Sequence, residues 1–149
     1  MLEEIKEIYR KYGGEVVEFE KFEGNVDVGY TIEYEKRLEE VDVCFFGLAS
    51  GDLNPLHFDE EVAKTTRFGG RVVHGMLTTS LVSAAVARMP GIVVLLEASF
   101  RYTKPVRIGD VVKVVGEVVE KDRRKYRLNV RCLVGEDVVA EGYVVVLLW

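Results

Sequence analysis

Apolar positions recur at two different spacings along this chain, and the change of spacing divides it. In the first stretch, Leu2, Ile5, Ile8, Tyr9 and Tyr12 share one helical face, which predicts a helix that Gly13-Gly14 ends. Residues 15–27 mix acids with Val17, Phe19 and Phe22 and show neither period. Tyr30, Ile32 and Tyr34 then alternate with Thr31 and Glu33, the pattern of a half-buried strand over residues 28–38. Val41, Phe45 and Leu48 or Ala49 return to helical spacing over 41–49. Residues 50–59, Ser-Gly-Asp-Leu-Asn-Pro-Leu-His-Phe-Asp, are dense in turn formers and read as a loop. A short helix is expected over 60–66, broken by Gly69-Gly70.

Residues 75–89 carry no charge before Arg88. A helix apolar on nearly every side must be buried on nearly every side. Its polar members, Thr78, Thr79, Ser80 and Ser83, are small hydroxyls able to bond backbone carbonyls. Fifteen residues are too few to span a bilayer, and Pro90-Gly91 stops the helix. After it, the strand period takes over in 92–103, 111–120, 124–134 and 138–149. Turns at Arg107–Asp110 and Gly135–Asp137 are short, which requires antiparallel pairing. One strand, a buried helix and a run of long antiparallel strands make an α+β fold, with a curved sheet supplying the helix's cover.

The chain has 149 residues, 48% of them hydrophobic and 30% charged, which suits one domain with a full core. No stretch has the length of a membrane span, and the first twelve residues lack a signal-peptide core. Cys44 and Cys132 form neither a metal motif nor a disulfide framework, and read as thiols of a reducing cytoplasm. The net charge of −5 opposes nucleic-acid binding. Its distribution is uneven: residues 1–61 carry −11, and residues 62–109 carry +6, with one acid against seven bases. That central segment suits a small polyanion, or ion pairs with the acidic first third.

His57 and His74 are the only histidines. The loop places Asp52 within reach of His57, and an imidazole beside a carboxylate can share the activation of one water. Turn chemistry alone accounts for Gly51, Asn54 and Pro55, and Asp52 also suits an Asx turn. His74 and Gly75 stand where the uncharged helix begins. Its first amides lack internal partners, and Gly75 allows another molecule close to the backbone, as an oxyanion site for a thioester carbonyl requires. The bland alternative is a glycine for tight packing with His74 capping nearby. His57, Asp59 and His74 also imitate a two-histidine, one-carboxylate metal triad, a weak match given the helix between them. A phosphate-binding glycine loop, a zinc-protease helix and a serine nucleophile elbow are absent.

Two segments together, Phe46-Gly-Leu-Ala-Ser-Gly-Asp-Leu-Asn-Pro-Leu-His-Phe-Asp59 and Phe68-Gly-Gly-Arg-Val-Val-His-Gly-Met76, resemble the MaoC-like, R-specific enoyl-CoA hydratase family. The resemblance covers residues 28–149, leaving 1–27 as an extension without a counterpart. It implies a hot-dog fold, an antiparallel sheet wrapped around a central helix, in a homodimer or dimer of dimers with sites at the subunit interface. It implies reversible syn hydration of a trans-2-enoyl thioester to the (R)-3-hydroxyacyl thioester, on coenzyme A or acyl carrier protein, without metal or redox cofactor. By that resemblance Asp52 and His57 are the catalytic pair and Asn54 supports them. Gly75 polarises the thioester carbonyl, and Ser83 lines the site. Arg67, Arg71, His74, Arg101 and Lys104 are the candidates for binding substrate and the phosphates of coenzyme A. A thioesterase or a non-catalytic acyl-CoA-binding protein are the competing readings on the same fold.

Overall fold

The computed structural model describes residues 1–149. In chain order the elements are α1 (Leu2–Lys11), β1 (Thr31–Arg37), α2 (Glu40–Ser50), α3 (Pro55–Phe58), α4 (Glu60–Ala63), α5 (Gly75–Ala87), β2 (Val93–Tyr102), β3 (Val111–Asp122), β4 (Lys125–Val134) and β5 (Asp137–Leu148). The five strands form one antiparallel sheet in the order β1-β3-β4-β5-β2. The sheet curves around α5, and the core lies between them. Leu77, Leu81, Val82, Ala85 and Val86 of α5 face Val112, Val114, Val118, Leu128, Val130, Val144 and Val146 of the sheet. Each buried Val or Leu among them contributes roughly 1.5–3 kcal/mol by leaving water.

The helix is buried on three sides rather than all round. Met76, Ser80 and Ser83 are exposed at positions i, i+4 and i+7, so one stripe of α5 has no cover within the protomer. Strand β2 is open as well. It is a sheet edge, and Val94, Leu95 and Leu96 are 40–49% exposed in succession. Along this edge the outward-facing backbone N–H and C=O groups have no strand partner within the chain.

The largest departure from the sequence reading is α3. The turn formers of residues 50–59 predict a loop throughout, but Asn54 caps a four-residue helix, its Oδ1 accepting from the Leu56 amide at 3.3 Å. Pro55 occupies the first helical position, where its missing N–H costs nothing.

The first 27 residues run as α1 and then as an extended segment against the domain. Lys36 Nζ donates to Tyr9 Oη at 2.6 Å, and Tyr9 Oη donates to Asp42, pinning α1 to the start of α2. Further on, Lys21 Nζ donates to the carbonyls of Ala87, Met89 and Gly91 at 2.6, 3.0 and 2.7 Å. Ala87 is the last residue of α5 and the other two lie just beyond it, so the ammonium stands near the negative end of the helix dipole. Arg88 is enclosed there by Phe19 and Tyr34, with its guanidinium carbon 5.1 and 4.4 Å from their ring centres.

Candidate active site

The loop 51–54, α3 and the start of α5 converge on one place. Asp52 accepts from the Asn54 amide through Oδ1 at 3.2 Å, closing an Asx turn that leaves its second carboxylate oxygen free. His57, carried by α3, is buried to 7% exposure, and its Nδ1 lies 2.8 Å from the Val72 carbonyl. A carbonyl only accepts, so Nδ1 carries the hydrogen and Nε2 keeps its lone pair. A carboxylate oxygen of Asp52 and a ring nitrogen of each histidine lie within 4.8 Å of one another. No direct hydrogen bond joins Asp52 to His57. The Asp52 and His57 atoms are no more than 4.8 Å apart, a span that one water making two hydrogen bonds of about 2.8 Å is able to bridge.

Gly75 opens α5, and no side chain caps the helix, because His74 turns its ring elsewhere. The first amides of α5 are therefore free to bind an acceptor. A cavity of about 260 Å³ lies here, walled by His57 and Gly75 together with Thr78, Tyr102, Val106 and Val139, and bordered by Arg67 and Lys104. Asp52 is exposed and lies outside this wall.

The structure sorts the remaining candidates. Arg67 has no carboxylate partner and stacks on Phe68, and Lys104 is half exposed beside Asp137 at 2.8 Å. Both border the cavity. Arg71 does not serve there: Nε donates to the His57 carbonyl at 2.7 Å and Nη2 to both oxygens of Glu40 at 2.8 and 2.9 Å. Its guanidinium is spent on holding α3 against α2. Arg101 points to the opposite face of the sheet from the core residue Phe100, across from Glu141, in an outer groove away from His57. His74 is buried to 2% exposure behind the pair, not on the accessible wall. Ser83 lies eight residues beyond Gly75, about 12 Å along the helix, on the exposed stripe. Asn54 supports the pair indirectly, as the cap of the helix bearing His57. Arg107, another of the central bases, donates to the carbonyls of Phe68, Gly70 and Arg71 and braces the loop before α5.

Asp59, the carboxylate that the sequence pattern paired with the two histidines, caps α4 instead, its Oδ1 accepting from the Val62 amide at 3.2 Å, and Asp52 is the carboxylate that stands near both rings. The two imidazoles stack with ring centres 3.9 Å apart and planes inclined at 30°.

A curved antiparallel sheet around one central helix, with the site at that helix's N-terminus, is the hot-dog fold. The (R)-hydratase of Aeromonas caviae involved in PHA biosynthesis superposes with a TM-score of 0.78 at 32% identity, over 85% of this chain and all of that one. A crystal structure of an Archaeoglobus fulgidus protein matches with a TM-score of 0.99 at 67% identity, over 99% of this chain and 95% of its own, so the likeness includes the N-terminal extension. In sequence, residues 21–140 match the MaoC like domain. The 3-hydroxybutyryl-CoA dehydratase of Methylorubrum extorquens is 40% identical over 122 residues, covering 79% of this chain and 78% of that protein. The chain belongs to the MaoC-like dehydratase family.

Proposed function

We propose that this MaoC-like hydratase/dehydratase adds water reversibly to trans-2-enoyl-CoA and forms the (R)-3-hydroxyacyl thioester. The observation that carries the reading is the placement of a carboxylate oxygen and an imidazole nitrogen within 4.8 Å of each other, beside uncapped helix amides at a glycine.

In the forward direction, water is held between Asp52 and His57. As its oxygen bonds to C3 of the enoyl group, His57 Nε2 accepts the proton that leaves. The C2=C3 electron pair moves toward the thioester, and the carbonyl oxygen gains negative charge. The Gly75 amide, at the positive end of α5, donates to that oxygen. His57 then returns the proton to C2. Hydroxyl and proton come from one water on one face, which makes the addition syn. Asp52 orients the water and stabilises the imidazolium. Every proton is returned, so no other reactant is consumed.

Arg67 and Lys104 border the cavity and are the side chains we assign to the phosphates of coenzyme A. The exposed stripe of α5 and the open edge of β2 support a homodimer, which covers both. No helix is long and apolar enough to cross a membrane. The unpaired Cys44 and Cys132 support a cytoplasmic setting.

The test is hydration of crotonyl-CoA by the purified protein, followed as loss of enoyl absorbance, with the product's configuration determined. The reading expects (R)-3-hydroxybutyryl-CoA. Matched CoA and carrier-protein substrates then decide which carrier is preferred, and (S)-product or release of free thiol without hydration would overturn the proposal.

A further inference from the structure

His74 is the histidine that the hydration chemistry leaves without a task. It is nearly inaccessible, it stands at the N-cap of α5, and it makes no cap bond. Its Nε2 lies 2.9 Å from the Asp52 carbonyl oxygen. That carbonyl only accepts, so Nε2 carries the hydrogen and Nδ1 is the bare nitrogen. Nδ1 is buried without a protein partner. The ring lies 3.9 Å from that of His57, and Phe46 and Phe58 pack against it with ring centres at 4.8 and 5.7 Å. Burial lowers the pKa of His74, and a charge on His57 opposes a second proton on it.

One side chain thus touches both halves of the catalytic pair. It holds the backbone of the turn that carries Asp52, and it forms the surface on which the His57 ring rests. Val72 holds His57 from the other direction, through Nδ1. Because His74 immediately precedes Gly75, it also ties this pair to the helix amides.

We propose that His74 is a positioning residue that sets the separation of Asp52 and His57 and their registry with Gly75, by donating to the Asp52 carbonyl and stacking on His57. The proposal rests on the Asp52/His57 reading above. It differs from the alternative of a histidine that merely fills space between Phe46 and Phe58, because it needs the N–H donor as well as the ring.

Two measurements test it. The first needs no turnover. The chain has only two histidines, so nitrogen-15 NMR of their rings is assigned with a single variant. The expected spectrum shows His57 as the Nδ1–H tautomer and His74 as the Nε2–H tautomer, with His74 neutral where a free imidazole has taken its second proton. The opposite tautomer at His74 would overturn the proposal.

The second is kinetic. His74→Phe keeps the ring and loses the donor, while His74→Gln places an amide N–H near the Nε2 position. His74→Phe should lower kcat roughly 10- to 100-fold, the scale of an ångström-level misplacement, with KM little changed. His74→Gln should recover most of that loss. Unchanged kcat in a folded His74→Phe protein, or an equal fall in both variants at matched thermal stability, would overturn the proposal. If the wild type hydrates no enoyl thioester, the hydratase reading fails by itself, and the NMR result still decides whether His74 holds the Asp52 turn.

Discussion

A β-carbon on Gly75 would stand 2.9 Å from the ring of Tyr102, closer than side chains pack. Tyr102 is itself anchored, its hydroxyl 3.0 Å from Thr79 Oγ1 on the same helix. The absence of a side chain at Gly75 therefore keeps the cavity open beside the helix amides. Gly75→Ala should lower kcat/KM about 10-fold or more by shifting Tyr102 and crowding the amide, while stability stays within about 1 kcal/mol of wild type. Steady-state kinetics beside thermal unfolding checks this. Normal turnover in a folded variant would show that the open space at Gly75 is not needed by the reaction.

Arg67→Ala and Lys104→Ala should act on binding. A lost charge-assisted hydrogen bond is worth about 1.5–3 kcal/mol, so KM for an acyl-CoA should rise roughly 10-fold with kcat nearly unchanged. An acyl-pantetheine, which lacks the nucleotide phosphates, should be far less affected. Equal losses on both substrates would show that these side chains shape the cavity and do not meet phosphate.

Lys21 offers a test of the N-terminal extension. Lys21→Met removes the donor from three carbonyls at and just beyond the end of α5, in exposed or part-buried bonds, a loss of about 0.5–1.5 kcal/mol. The melting temperature should fall with kcat unchanged, because Asp52, His57 and Gly75 lie at the other end of the helix. A selective loss of turnover would assign residues 1–27 a part in the chemistry.

The two thiols should differ in reactivity. Burial pushes the Cys132 thiol up to about 11, which keeps it protonated and inert near neutral pH. Cys44 is half-buried on α2, with its Sγ 4.0 Å from Glu40 Oε1. Alkylation of the native protein at pH 8 should add one group, at Cys44, and denaturation should expose the second. Both are read by intact mass.

Local pattern reached most of this fold, because alternation and helical spacing survive in long elements. The strand from residue 111 and the uncharged helix from Gly75 are examples. The helix Pro55–Phe58 escaped because four residues carry too little period, although Asn54-Pro55 is itself a helix-start signal. Asp52, His57 and Gly75 were nameable from motif and resemblance, and the fold brings them together. The arginines were not separable by sequence. Arg71 is consumed by Glu40 and the His57 carbonyl, and Arg101 follows strand parity onto the far face. The first outcome depends on tertiary partners, and the second on which face of β2 meets the core. The position of His74 behind the pair likewise depends on a hydrogen bond across 22 residues.

The central claim is that Asp52 and His57 activate one water between them. Asp52→Asn and His57→Gln change charge or basicity with little change of volume, and the turn and α3 should persist. With circular dichroism and thermal unfolding showing each variant folded, hydration of crotonyl-CoA should fall by roughly 10²–10⁴-fold in kcat for either one, the usual contribution of a general base. The double variant should lose little more than the worse single one, because the two groups act on one water. Turnover within a few-fold of wild type in either single variant would contradict the pair.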